Sequence, residues 1–447
     1  MEFRILCYTY KAGILPHEKE ITSMKKSVII LLVLLALMTP LFAAGAPEAK
    51  AAAPIKIWAW DPNFNISIMN EAISRYQAKH PEATFEVVEL AKADVEQKLH
   101  TNLASRTTQG LPDIVLIEDY NVQKYLTSYP GQFADLTSAF NYKDFVGYKA
   151  DVMKVGDKYY GVPFDSGVAG FFYRTDLMKK AGFEAKDLEN ITWNRFADIA
   201  KEYKAKTGQY MIANDKSDGG LFRVMLQSAG SWYFDDAGKP ALVNNAALKE
   251  AMKLYKRFVS EDLALPSNGW NEWVGSFNSG KVASVITGVW IIGSIKAGTS
   301  QSGLWAVAPT PRLDLANSVN ASNLGGSSWF VLQNGASRDK AVEFLKEIYG
   351  SDKAFYQTIL MNNGAIGSYM PAFSGDAFAA KDAFFGNKAI FSDLSRWASM
   401  IPRVNVGQYT YEADAAVMAV MEDFYNGKTT VDQAAMAAEA QLKNAIQ

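Results

Sequence analysis

Trp60, Asp61 and Asn63 stand together in the stretch WAWDPNFN, after the apolar run IKIWAW and before a segment of helical periodicity. Packing has use for the tryptophan. It has less use for a carboxylate and an amide beside it. The same pairing of ring and acceptor recurs at Asp119 and Tyr120, after DIVLIE, and at Phe164 and Asp165, in GVPFDSG. Two chemistries use such groups. A pair of carboxylates ~5–10 Å apart across a sugar can hydrolyse a glycosidic bond. Alternatively, carboxylates and amides accept hydrogen bonds from hydroxyls while flat rings stack on the apolar face of a pyranose. Taken singly, each aspartate reads as a turn or cap residue, the commoner fate of aspartate after a strand. Taken with their aromatic neighbours they read as a hydrogen-bonding, stacking surface.

Other chemistries lack material. The three histidines are His17, His80 and His100. The first lies far upstream, the second at a helix end before Pro81, and the third within a helix. No Ser-His-Asp or Cys-His set and no histidine metal site follows from them. The single cysteine is Cys7. LGGSS (324–328) has paired glycines but neither the lysine nor the strand-loop-helix setting of a phosphate loop. No catalytic residue, no metal and no cofactor is expected. Trp193, at a helix start, and Trp305, in LWAVAPTP, read as core. Trp232, Trp270, Trp273 and Trp290 adjoin Gly, Asn or Ser, and both a ligand-facing and a packing role stay open for them; Trp397 is open too.

The elements that must position these residues alternate. IKIWAW (55–60), TFEVVEL (84–90) and DIVLIE (113–118) read as strands, with helices over 66–80 and 93–106 between them. This β-α-β-α-β start indicates a parallel sheet with helices on both faces. Ligands sit outside the carboxyl ends of such strands, where Asp61, Asn63, Asp119 and Tyr120 fall. Thr192 caps an expected helix over 192–206, and further amphipathic helices are expected over 247–261 and 338–350. Met24–Ala46 has a lysine pair, an apolar run and small residues at its end, the layout of a cleaved secretory signal. Residues 1–23 read as an upstream extension, 24–44 as the signal and 45–54 as a leader. Without residues 1–44, 40 basic residues face 44 acidic ones. That balance gives no reason to expect a nucleic acid partner.

The stretches YGVPFDSGVAGFFYRTDLMKKAGF, LPDIVLIEDYNVQKYL, FNSGKVASVITGVWIIG, LGGSSWFVLQNGASRDKAVEFLK and IPRVNVGQYTYEADAAVMAVMEDFYNGKTTVDQAAMAAEAQLKNA together resemble the extracellular sugar-binding proteins of ABC importers, of maltose and trehalose type. The resemblance implies an α/β, two-lobed periplasmic binding protein fold of type II-like kind. Each lobe is a mixed sheet flanked by helices, with a hinge and an interlobe cleft. It implies lobe one at 55–167 and 306–350, and lobe two at 168–305 and 351–447. By similarity the cleft takes Trp60, Asp61, Asn63, Asp119, Tyr120, Phe164, Asp165, Trp232, Trp270, Trp290, Gly325, Gly326, Ser327 and Arg403. The partners implied are a small carbohydrate and the membrane permease of an ABC importer. The chain is expected to be a monomer, periplasmic or extracellular, and no enzyme. The alternatives are a secreted glycoside hydrolase using paired aspartates and a binding protein for a polyol or glycerol-phosphate compound.

Overall fold

The computed structural model describes residues 53–215 and 218–446. The expected extension, the signal segment and all but the end of the leader lie outside the described residues. Among the described residues no helix is long and apolar enough to cross a membrane.

Two sheets organise the chain. The first contains β1 (Ile55–Ala59), β2 (Phe85–Glu89), β3 (Ile114–Glu118), β4 (Gly161–Pro163) and β8 (Ser327–Val331), in the order β2-β1-β3-β8-β4. The second contains β5 (Ala169–Arg174), β6 (Ser284–Gly288) and β7 (Trp305–Pro309), in the order β6-β5-β7. β1 runs parallel to β2 and β3, as the alternating start requires, whereas β8 is antiparallel to β3 and β4. β3 is apolar on both faces because both are covered. Val115 and Ile117 join one core, and Ile114 and Leu116 join the other. Trp329 pairs with Leu116 and is fully buried, so it belongs to the core.

The helix signals act as expected. The Thr192 hydroxyl accepts a hydrogen bond from the Arg195 amide and caps the helix Trp193–Thr207, which ends at Gly208 in the left-handed conformation. Its stripe of Trp193, Phe196, Ile199, Ala200 and Tyr203 is buried. Trp305 and Trp397 are core residues too.

The sheets divide the chain differently from the expected boundaries at 306 and 351. Residues 306–309 were expected in lobe one, yet they pair with β5 in the second sheet. The helix Lys353–Asn363 was expected in lobe two. It packs on Ser67–Gln77 of the first lobe, where Arg75 donates to Asp352 at 3.3 Å and to the Thr358 hydroxyl at 2.6 Å.

Three segments cross between the sheets and bond to one another. Residues 164–169 lie in the middle. On one side the Ser166 amide donates to Ile366 O at 2.7 Å and the Ser368 amide to Phe164 O at 2.8 Å. On the other, the Leu324 amide donates to Gly167 O and the Ala169 amide to Ser322 O, both at 2.8 Å. Gly167 permits this approach, since a Cβ there would lie 2.4 Å from Leu324 O and 2.7 Å from Gly325 O. Gly170 lies inside β5, and its missing side chain makes room for Val307.

Gly167→Ala therefore has to push two crossing segments apart and is expected to cost about 1–3 kcal/mol. Gly275→Ala, in the helix Gly269–Asn278 with open space around it, is expected to stabilise by roughly 0.5–1 kcal/mol. Urea unfolding of both variants checks the contrast. Equal stability of the two would contradict the crossing geometry.

Candidate ligand-binding cleft

A cavity of about 830 Å³ opens between the ends of the two sheets, within the ~300–1,000 Å³ of small-molecule sites. The first sheet contributes the turn after β1. Asp61 has a positive φ of 62°, and its Oδ1 accepts from the Asn63 and Phe64 amides, each at 3.1 Å. That bond pair holds the tight turn Pro62–Ile66, which carries Asn63, Phe64 and Asn65 to the cavity beside Trp60. Asn65 is only 4% exposed, and its Oδ1 has no partner among the described residues. The end of β3 adds Glu118 and Tyr120, and the start of the helix Lys92–Ala104 adds Lys92. Glu118 accepts a salt bridge from Lys92 at 2.9 Å.

The second sheet contributes an aromatic corner. Trp270 lies 5.5 Å from Trp273 and 5.9 Å from Trp290, ring centre to ring centre. Trp290 is fixed by donating its indole N–H to Leu324 O at 2.8 Å. Gly288 leaves the space for that ring, since a Cβ there would lie 2.2 Å from the indole nitrogen. Arg223, on the helix Gly220–Ser228, lies over the Tyr120 ring at 5.1 Å and pairs with Asp414 at 3.1 Å. Its Nε has no hydrogen-bond partner among the described residues.

The floor of the cavity is the turn Gly325–Gly326–Ser327. Beneath it the fully buried Lys149 ammonium bonds Asp119 at 2.5 Å and Ser327 O at 2.9 Å. The Asp165 carboxylate accepts from the Ser327 amide at 2.6 Å, and the Ser328 hydroxyl donates to Asp119 at 3.0 Å. Gly326 has φ of 101°, and a Cβ on it would lie 2.9 Å from the Asp119 carboxylate and 3.2 Å from the Lys149 nitrogen. Burial pushes the Asp119 carboxyl up to about 6, against the pull of Lys149. Burial raises Asp165 as well.

Of the expected residues, Trp60, Asp61, Asn63, Tyr120, Asp165, Trp270, Trp290, Gly325, Gly326 and Ser327 meet at this cavity, and Trp273 joins them. Four others do not. Asp119 begins a helix and turns under the floor to Lys149. Phe164 is fully buried behind Phe64, packed against Trp329. Trp232 is buried behind Tyr120, ring centres 5.6 Å apart, with its N–H donated to the Thr410 hydroxyl at 3.1 Å. Arg403 is exposed and pairs with Asp151 at 3.1 Å, beside a different hollow. Sequence reasoning missed Asn65, Lys92, Glu118 and Arg223. The strand-exit rule applied to β2, and to the last residue of β3, finds Lys92 and Glu118. Arg223 has no local signal, being one helical residue among others.

Comparison with known proteins gives a consistent result. Residues 71–373 match the family model described as bacterial extracellular solute-binding protein. A lactose-binding protein of Rhizobium radiobacter is 49% identical over 399 residues, 89% of this chain and 94% of that protein. An extracellular solute-binding protein of family 1 superposes with a TM-score of 0.74 at 18% identity, covering 88% of this chain and all of the other. A binding protein of B. animalis subsp. lactis, solved with β-1,6-galactobiose, gives 0.69 at 22%, covering 88% and 97%.

The buried ion group yields a prediction with a sign in pH. Lys149→Met leaves Asp119 and Asp165 facing each other without a cation and is expected to cost about 3–5 kcal/mol near pH 7. A raised carboxyl binds its proton more tightly in the folded chain. Without the pull of Lys149 the Asp119 carboxyl rises further still, so the penalty is full only above that raised value and fades as pH falls through it toward the ordinary carboxylate value. The deficit of the variant against the parent is expected to shrink on acidification, as read by urea unfolding from pH 7.5 to 4.5. A deficit that grows on acidification would contradict the arrangement.

Proposed function

The chain belongs to the bacterial extracellular solute-binding protein family, and from that premise we propose that it holds a neutral sugar or short oligosaccharide in the cleft and delivers it to an ABC-type importer. The observation that carries the reading is the make-up of the cleft. Four tryptophans line it, and five carboxylates (Asp61, Glu118, Asp165, Asp215 and Asp218) face two cations among the described residues, Lys92 and Arg223. Rings suit the apolar faces of pyranoses, and the acceptors suit hydroxyls. The two cations are already paired with Glu118 and Asp414, which argues against a phosphorylated ligand. The volume exceeds that of one ring several times over. The lactose-binding relative makes lactose the first ligand to test.

The protein acts by binding, without covalent chemistry. Asp61 spends one oxygen on its turn, Asp165 one on the Ser327 amide, and Asp119 is held below the floor. The structural duties of these three aspartates argue against an acid and nucleophile pair built from them. A ligand touching both lobes favours the state in which they are closed on it by its differential affinity. The three crossing segments are the place for that rotation, and the permease reads the closed surface. The signal layout of residues 24–44 supports export to the periplasm or outside the cell, where the protein acts as a monomer.

Thermal unfolding over a saccharide panel tests this. Lactose at a hundred times its dissociation constant is expected to add ~2.7 kcal/mol, glycerol phosphate to add nothing, and no monosaccharide to be released. Stabilisation by glycerol phosphate alone would overturn the neutral-sugar reading. Monosaccharide release that disappears in Asp165→Asn would make the protein a hydrolase.

A further inference from the structure

One flank of the cleft is backed by a residue that does not itself line it. Lys92, Glu118, Tyr120 and Arg223 all face the cavity, and all four touch Tyr411. The Tyr411 hydroxyl donates to Glu118 at 2.6 Å. The Lys92 ammonium lies 5.5 Å from its ring centre and the Arg223 guanidinium 5.3 Å. Its ring meets Tyr120 edge-on at 6.1 Å. Tyr411 keeps 37% of its surface exposed. It therefore stands between this flank of the cavity and solvent.

Its place is set from both sides along the helix Thr410–Tyr425. Thr410 accepts the Trp232 indole N–H, and Asp414 pairs with Arg223. Next to it Glu412 reaches across to Lys124 of the first lobe at 2.9 Å. The side of the tryptophans differs, for Trp270 is 52% exposed. Tyr411 thus backs one flank of the cleft, while Trp270 is a lining residue that reaches solvent.

We propose that Tyr411 is the end wall of the cleft and sets the chain length of the saccharide at one terminus, a reading that rests on the saccharide function proposed above. A ligand chain with its rings along the tryptophans can extend past Trp270. It cannot extend past Tyr411 without displacing a ring held by a hydrogen bond and two cations. Specificity of this kind comes from a clash with the longer ligand, leaving contacts to the shorter one as they are.

The experiment is calorimetric titration of the full chain with lactose and with two trisaccharides, one carrying an added galactose at the non-reducing end and one an added glucose at the reducing end. The parent is expected to accept one trisaccharide and to reject the other relative to lactose. Tyr411→Ala is expected to relieve that discrimination by about tenfold, the scale of a lost steric contact in a pocket. Tyr411→Phe keeps the ring without the Glu118 bond, and its ratio between the two trisaccharides is expected to stay with the parent even where its affinities shift. If Tyr411→Ala does not fold, Tyr411→Leu is read in its place. A parent that treats both trisaccharides alike overturns the end wall. So does a variant that weakens all three ligands equally, since Tyr411 would then be an interlobe latch. A parent that binds none of the three ligands overturns the saccharide reading and the end wall with it; a change confined to the ratio bears on the wall alone.

Discussion

The structure turns on one buried cation. Lys149 is fully enclosed, and its ammonium lies against Asp119, with the Ser327 carbonyl as a second acceptor. A lysine is tolerated at such depth only when paired and hydrogen-bonded. The partners that satisfy it come from separate parts of the chain. Asp119 follows β3, and Ser327 begins β8 at the end of one crossing segment. Asp165, on another crossing segment, takes the Ser327 amide. Satisfying one charge therefore fixes where two sheet strands and two crossings meet. Gly326 passes directly above this group, where no side chain fits.

The cleft follows from that junction. Once β3 and β8 are joined there, the exits of β1, β2 and β3 share one rim, and the backbone turn Gly325–Ser327 becomes its floor. The second sheet faces it through Trp270, Trp273, Trp290 and Arg223. Trp290 and Tyr120 each bind the returning segment, through Leu324 O and the Gly325 amide. Groups from both lobes thus hold one crossing segment. The floor of the cleft and the joint between the sheets therefore share the same few residues.

Much of this was legible in the sequence, and the misses have a common cause. Strand exits announced themselves by the change from apolar runs to polar and aromatic residues, so Trp60, Asp61 and Asn63 were placed from local pattern. Thr192, Trp193 and Trp305 were legible for the same reason, since capping and apolar periodicity are local properties. The direction of a side chain at a strand exit is not local. Asp119 sits one residue from Glu118 and points beneath the floor because Lys149, thirty residues on, waits there. Phe164 and Trp232 resemble stacking residues in sequence, yet each is the layer behind one: Phe64 and Tyr120 stand in front. Arg403 found Asp151 instead. Arg223 reaches the cleft from mid-helix, and only the packing of Gly220–Ser228 against Tyr120 shows it.

A crystal structure of the chain grown with lactose tests this arrangement most directly. One saccharide is expected between the sheets, with a ring against Trp270 or Trp290 and hydroxyls within hydrogen-bond distance of groups from both lobes, Asn65 Oδ1 among them. A saccharide that touches a single lobe, or one held at another surface while the cleft stays unoccupied, would contradict it.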